Sequence, residues 1–174
     1  YTFTESKAHM PYGKSLLTGL PIREEILSGD RLKGLKLCGF SGIKPVILVI
    51  GGSQGSESIN NTVRDALNSL SGKFQICHIC GKGNIKQDLK GVKGYKQFEY
   101  VDRELPDIFA CADIIISRAG ATTLFEILAI KKPALLIPLS RSASRGDQIL
   151  NADSFEKSGY SDVLYEEELT SKSL

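Results

Sequence analysis

At 41% apolar and 24% charged residues, a chain of 174 residues is too apolar to be disordered and long enough to bury a single-domain core without disulfide staples. Its net charge of +2 comes from scattered Lys and Arg with no block of like charge, which argues against bulk nucleic-acid binding. No apolar run approaches the ~20 residues of a membrane span, no basic-then-apolar signal peptide opens the chain, and Tyr1-Thr2-Phe3 without an initiator Met predicts a piece of a longer protein.

In chain order, SLLTG (15–19) predicts a short strand. PVILVIGG (45–52) predicts a strand buried on both faces. Residues 56–70 carry Ile59, Val63, Ala66, Leu67 and Leu70 at helical spacing. FQICHIC (74–80) predicts the next strand, GKGNIKQDLKG a loop with a short helix, and YKQFEYV (95–101) a strand. A short helix follows over 104–112 and a buried strand over 113–117. Residues 122–130 read as a helix with Thr122 available as its cap and Glu126 in its second turn. A strand over 133–139, a helix from Asp147 to Ser158 ending at Gly159, a strand over 161–165 and a helix starting at Glu166 complete the pattern. Alternating strands and helices imply an α/β, doubly wound parallel sheet covered on both faces. Such sheets bind ligands beyond the carboxyl ends of their strands.

Three strand-to-helix passages carry the chemistry. Gly51 to Ser56 lets a ligand approach bare backbone where a helix start offers unpaired N–H groups, which suits a phosphate. It matches neither the P-loop nor the G-x-G-x-x-G pattern. SRAGATTLFEI (117–127) repeats the design, and the two turns can converge on one diphosphate; Glu126, one turn into its helix, can accept hydrogen bonds from vicinal ribose hydroxyls. In the third passage Gln148 and Asn151 share a helix face and can meet sugar hydroxyls. Each feature also fits a simpler role: a tight turn without ligand, a first-turn acid favoured by the helix dipole, ordinary caps.

Cys77-His78-Ile79-Cys80 has the spacing of a metal knuckle, but on a strand the two thiols point to opposite faces and no second Cys/His pair follows. No metal site is expected; Cys38, Cys77, Cys80 and Cys111 read as small core residues of a reducing compartment. His78 reads as a satisfied buried group and His9 as part of a polar loop, and no catalytic triad or carboxylate pair is legible.

The strings TGLPIREEI, VIGGSQGSESIN, HICGKG, ISRAGATTLFEI and RGDQILNA occur in the order and approximate spacing of the C-terminal half of the MurG family of bacterial glycosyltransferases, which the chain resembles over nearly its whole length. GGSQG together with SRAGATTxxEI is specific; either alone would be weak. The resemblance implies the donor-binding, Rossmann-like half of a two-domain GT-B enzyme. It transfers N-acetylglucosamine from UDP-N-acetylglucosamine to lipid I, with inversion, to give lipid II for peptidoglycan. It implies residues 1–22 as the end of the acceptor domain and linker, 23–174 as the donor domain, and no cofactor. The acceptor loop GGTGGH of the family is absent here, so catalytic residues and lipid I contacts are expected in the missing N-terminal domain, and the fragment alone is expected to be inactive.

Carried over by position, the resemblance puts Arg23 in the hinge near the nucleotide and Ser53, with Gln54, at the diphosphate and sugar. Val101 would offer its main chain to uracil. Thr122 and Thr123, with Ala121, would face the diphosphate, Glu126 would hold the ribose, and Gln148 and Asn151 would contact N-acetylglucosamine. Arg145-Gly146-Asp147-Gln148 departs from the family's Asp-His-Gln or Asp-Arg-Gln-Gln string, so the contact made there does not transfer directly to Asp147. The full enzyme would sit peripherally on the cytoplasmic face of the inner membrane. A related diacylglycerol glycosyltransferase and a non-catalytic nucleotide-binding module are the competing expectations.

Overall fold

The computed structural model describes residues 1–52, 54–144 and 146–174, with Glu5 as backbone only. Six parallel strands form one sheet: β1 (Val46–Ile50), β2 (Gln75–Ile79), β3 (Tyr95–Phe98), β4 (Ile114–Ser117), β5 (Ala134–Leu136) and β6 (Asp162–Val163), in the order β3-β2-β1-β4-β5-β6. β1 sits at the centre, with Ile47 opposite Ile76 on one side and Ile114 on the other. Its burial on both faces follows from a run without a polar residue.

The chain runs outward from β1 to β3 and then returns to β4, so the strand order reverses between β1 and β4. Side chains alternate faces. Val46, Leu48, Cys77, Ile115 and Leu136 pack under α1 (Arg31–Cys38), α4 (Leu105–Cys111), α5 (Ala121–Ala129) and α6 (Asp147–Lys157). Ile47, Val49, Ile76, Ile116 and Ile137 pack on the other face with α2 (Glu57–Asp65) and α3 (Leu67–Ser71). The doubly wound α/β expectation is met.

Four local expectations are corrected. Residues 15–19 form no strand: Leu16 and Leu17 are exposed, and the backbone there bonds to Tyr1 rather than to a strand. The 56–70 helix breaks at Ala66 into α2 and α3. Thr122 is not a cap; Gly120 holds that position and α5 begins at Ala121 with no side-chain cap. After β6 only Glu166–Glu168 is helical, as one 3-10 turn.

α1 has no counterpart among the predicted elements. It is capped by Asp30, whose carboxylate accepts from the amides of Leu32 and Lys33, and it ends at Gly39 with φ 70°. Gly34 lies at its centre, where a Cβ would come within 2.1 Å of the Asp107 carbonyl oxygen of α4. The two helices therefore touch backbone to backbone. Gly34→Ala should gain about 1 kcal/mol of helix propensity but lose more by forcing the helices apart, at the upper end of the ~1–3 kcal/mol typical of overpacking. We expect a net destabilisation of about 2 kcal/mol; an unchanged denaturant midpoint would refute this close contact.

Candidate functional site

The reversal of strand order brings the β1–α2 and β4–α5 turns side by side at the carboxyl edge of the sheet, where open α/β sheets bind their ligands. α2 is capped by Ser56, whose Oγ accepts from the Ile59 amide at 3.4 Å. The preceding loop is pressed against the end of β2: at Gly55, with φ +79°, a Cβ would lie 2.0 Å from the Cys80 carbonyl oxygen. That carbonyl is held from the other side by Asn60 Nδ2 at 2.8 Å.

Asn60 opens a buried polar chain that fixes this contact. Its Nδ2 donates to Cys80, so its Oδ1 accepts from His78 Nε2 at 2.8 Å, and His78 Nδ1 accepts from the Tyr95 hydroxyl at 2.8 Å. His78 is fully buried, and burial, reinforced by the Arg64 charge, lowers its pKa to about 3. A neutral imidazole with one fixed tautomer thus ties α2 to β2 and β3. The expectation of a satisfied buried histidine is met, and its partners are now named.

At the other turn, α5 starts without a side-chain cap, leaving its first N–H groups unpaired by the helix itself. A Cβ added at Gly120 would meet nothing within 4 Å, and its φ of −72° is open to any residue. Neither backbone strain nor internal packing requires glycine there, and the helix start is open to close approach. A cavity of about 390 Å³ opens at this place, lined among others by Gly52, Gly120, Thr123 and Gln148. Its volume suits a small-molecule site.

Beneath the cavity lies an ion pair that sequence reasoning missed. Arg118 is 7% exposed. Its Nη1 donates to the carbonyls of Ile137 and Pro138, both at 3.1 Å, and its Nη2 to Ser56 Oγ at 2.7 Å, to Ser58 Oγ at 3.0 Å and to Glu166 Oε1. Glu166 also accepts from Ser58 Oγ and, through Oε2, from the Ser140 amide at 3.1 Å. Burial opposes ionisation of Glu166, but Arg118, Ser58 and Ser140 outweigh it and hold the carboxyl below its usual pKa.

The residues singled out from the sequence fall into three groups. Thr123 and Gln148 line the central cavity, and Ala121 sits half-buried at the start of α5; Gln54 and Thr122 are exposed beside it. Gln148 also braces the loop after β5, accepting from the Leu139 amide at 3.2 Å. Arg23 Nε and Glu126 Oε1 pair at 2.8 Å, with Glu126 buried and the Arg23 side chain 51% exposed; the bond to Glu126 raises the Arg23 pKa. Arg23 borders a second cavity of about 430 Å³ with Ile26, Asp102 and Pro106. Val101, next to Asp102, has its side chain in the core, so only its main chain is free to face a ligand. Asn151 stands apart: its amide donates to the Ala119 carbonyl at 3.0 Å and holds the β4–α5 turn. Ser53 lies outside the described residues.

All four cysteines are free and buried, and Cys80 follows the end of β2 with its thiol directed at the Phe98 carbonyl. Among the described residues no group of three or more His, Cys, Asp or Glu side chains could hold a metal ion, and no helix is long and apolar enough to cross a membrane.

The chain is similar to known proteins in sequence and in fold. The chain is 59% identical over 173 residues to the UDP-N-acetylglucosamine--N-acetylmuramyl-(pentapeptide) pyrophosphoryl-undecaprenol N-acetylglucosamine transferase of Clostridium botulinum, covering 99% of this chain and 49% of that protein. It is 58% identical over the same span to the second such transferase of Bacillus cereus. It thus spans about half the length of these relatives. Among solved structures, MurG of Acinetobacter baumannii matches with a TM-score of 0.68 at 23% identity, over 92% of this chain and 47% of that one. The calicheamicin glycosyltransferase CalG4 matches at 0.59 and 17% identity, over 75% of this chain and 32% of that one. Residues 46–174 match the glycosyltransferase family 28 C-terminal domain, and the chain belongs to that family.

Proposed function

We propose that the chain is the donor-binding half of an inverting glycosyltransferase that moves N-acetylglucosamine from UDP-N-acetylglucosamine to lipid I, giving lipid II. One observation carries the reading: an uncapped helix start at Gly120 faces a cavity shared with the glycine loop after β1, at the point where the strand order reverses. The 59% identity to a transferase named for this reaction supports the choice of sugar and acceptor. In this reading Thr123, Ala121 and the loop holding Ser53 and Gln54 receive the diphosphate. Arg23 and Glu126 flank the ribose, the Val101 main chain meets uracil, and Gln148 and Asn151 face the sugar. Residues 1–22 link to an acceptor domain that supplies lipid I binding and docks on the cytoplasmic face of the inner membrane.

The chemistry follows from charge. An acceptor hydroxyl attacks the anomeric carbon from the face opposite UDP, the C–O bond to the β-phosphate breaks, and the acceptor proton passes to a base on the acceptor side. Negative charge grows on the departing diphosphate. Two helix starts aimed at it stabilise that charge without reorganising.

Two results are expected. The protein should bind UDP in the presence of a chelator, as measured by calorimetry; no heat at millimolar ligand would count against the donor site. Incubated with UDP-N-acetylglucosamine and lipid I, this chain alone should release no lipid II, and product above a no-protein control would overturn the division of labour.

A further inference from the structure

The ion pair under the cavity does more than the donor-site reading requires of a fold. The Glu166 carboxylate reaches Ser58 in the first turn of α2, Arg118 after β4 and the Ser140 amide after β5, while standing itself after β6. Through Arg118 it also governs Ser56, the cap of α2, and the carbonyls of Ile137 and Pro138. Arg118 leads through Ala119 directly into Gly120, the start of α5. One carboxylate thus sets the relative position of both helix starts that border the cavity. Its side chain is 19% exposed and that of Arg118 9%, and both residues line the cavity. A buried pair of this kind is seldom retained for stability, because desolvating two charges consumes most of what their attraction returns. An apolar filling of the same space would hold no directional contact to α2 and to the loops after β4 and β5.

We propose that Glu166 is a positioning residue of the diphosphate site, acting through Arg118 to hold the α2 and α5 starts at the spacing a nucleoside diphosphate needs. This rests on the donor-site reading. The carboxylate is close enough to the site to repel the ligand's charge, so the two effects have opposite signs. Glu166→Gln removes the repulsion but replaces an acceptor oxygen with an NH2 group, which cannot accept from the Ser140 amide if it faces that side, nor from Arg118 and Ser58 if it faces the other. If position dominates, UDP binds more weakly; if repulsion dominates, more tightly.

The test compares UDP with uridine by ligand-observed NMR or calorimetry. Uridine reports the side of the site near Arg23 and Val101, which Glu166 does not touch. In folded Glu166→Gln protein, UDP affinity should fall by about tenfold or more, the size of one lost charge-assisted hydrogen bond, while uridine affinity stays unchanged. Glu166→Asp, which keeps the charge, should recover part of the loss. Unchanged or tighter UDP binding overturns the proposal, as does an equal loss for both ligands, which would mark a general loosening of the fold. Should Glu166→Gln fail to fold, Ser58→Ala removes one bond to the carboxylate together with the Ser58 contacts to Arg118 and Ser56 and must show the same selective loss; UDP binding at the wild-type level in that variant is equally fatal. Wild-type protein that binds no UDP refutes the donor-site reading itself, before any variant is compared.

Discussion

Acidification from about pH 6.5 to about pH 3 should remove on the order of 5 kcal/mol of stability through His78 alone. In the unfolded chain the imidazole titrates near its ordinary value of 6.5; in the fold its pKa is lowered to about 3 by burial and the Arg64 charge. Between these values the unfolded state binds a proton that the folded state excludes, so stability rises with pH across the window and falls as pH drops. At about 1.4 kcal/mol for each pH unit, the interval gives about 5 kcal/mol, comparable with the whole stability of many domains. The cause is structural: with Asn60 Oδ1 accepting at Nε2 and the Tyr95 hydroxyl donating to Nδ1, the neutral ring is fully satisfied, and a second ring proton has no acceptor unless Tyr95 turns. Other groups also titrate in acid, so the useful quantity is the difference between wild type and His78→Gln in urea melts at several pH values. That difference should shrink steadily as pH falls below 6.5. Parallel curves for the two proteins would show that His78 is not held neutral.

The parts of this fold that were legible in the sequence are those whose signal is local. β1 announces itself as VILVI closed by Gly51-Gly52, and α6 by the Gly159 that stops it with φ 72°. α1 was not legible because its mean character is polar and Gly34 breaks its pattern; the reason for that glycine is the Asp107 carbonyl, far away in sequence. Residues 15–19 failed for the converse reason. SLLTG has strand-like composition, yet a strand exists only where a neighbour offers its backbone, and β-propensity is mostly a statement about that neighbour. Thr122 was a plausible cap by residue type, but α5 begins one residue earlier, where Gly120 leaves the helix start open.

The candidate site divides in the same way. Its glycine turns and Glu126 were legible because strand, turn and helix follow one another within a few residues. Arg118 was in plain view inside SRAG, but its meaning depends on Glu166, which lies 48 positions downstream in an undistinguished acidic run. Gln148 and Asn151 show a different limit. Both fall on one helix face suited to a sugar, and each spends one end of its amide on a loop carbonyl or amide, Ala119 for Asn151 and Leu139 for Gln148. Placement on a helix face could be read from their spacing; which atoms remain free could not.

Glu126→Ala should weaken UDP binding by roughly ten- to a hundredfold while leaving the fold nearly intact. If the carboxylate grips the ribose hydroxyls, it forms charge-assisted hydrogen bonds worth ~1.5–3 kcal/mol each at most and less in a wet cleft, and each ~1.4 kcal/mol is a factor of ten in affinity. The structure adds a rival explanation. Glu126 Oε1 already accepts from Arg23 Nε at 2.8 Å, and no hydrogen bond to its other oxygen is found among the described residues. One oxygen can therefore hold Arg23 while the other serves the ligand, or Glu126 can act solely by aiming Arg23 at the nucleotide. Three measurements separate these. If Glu126 is the ribose ligand, 2′,3′-dideoxy-UDP binds wild type and Glu126→Ala equally, since neither complex contains the bond. If it only aims Arg23, the variant loses affinity for UDP and dideoxy-UDP alike, and Arg23→Ala reproduces both losses. If it only braces the fold through its bond to Arg23, UDP affinity does not change and stability falls by about 0.5–1.5 kcal/mol, the net worth of an ordinary hydrogen bond, since Glu126 lies beyond the first turn of α5. The ribose assignment requires the first pattern: a selective loss for UDP in Glu126→Ala that dideoxy-UDP does not share and that Arg23→Ala does not copy.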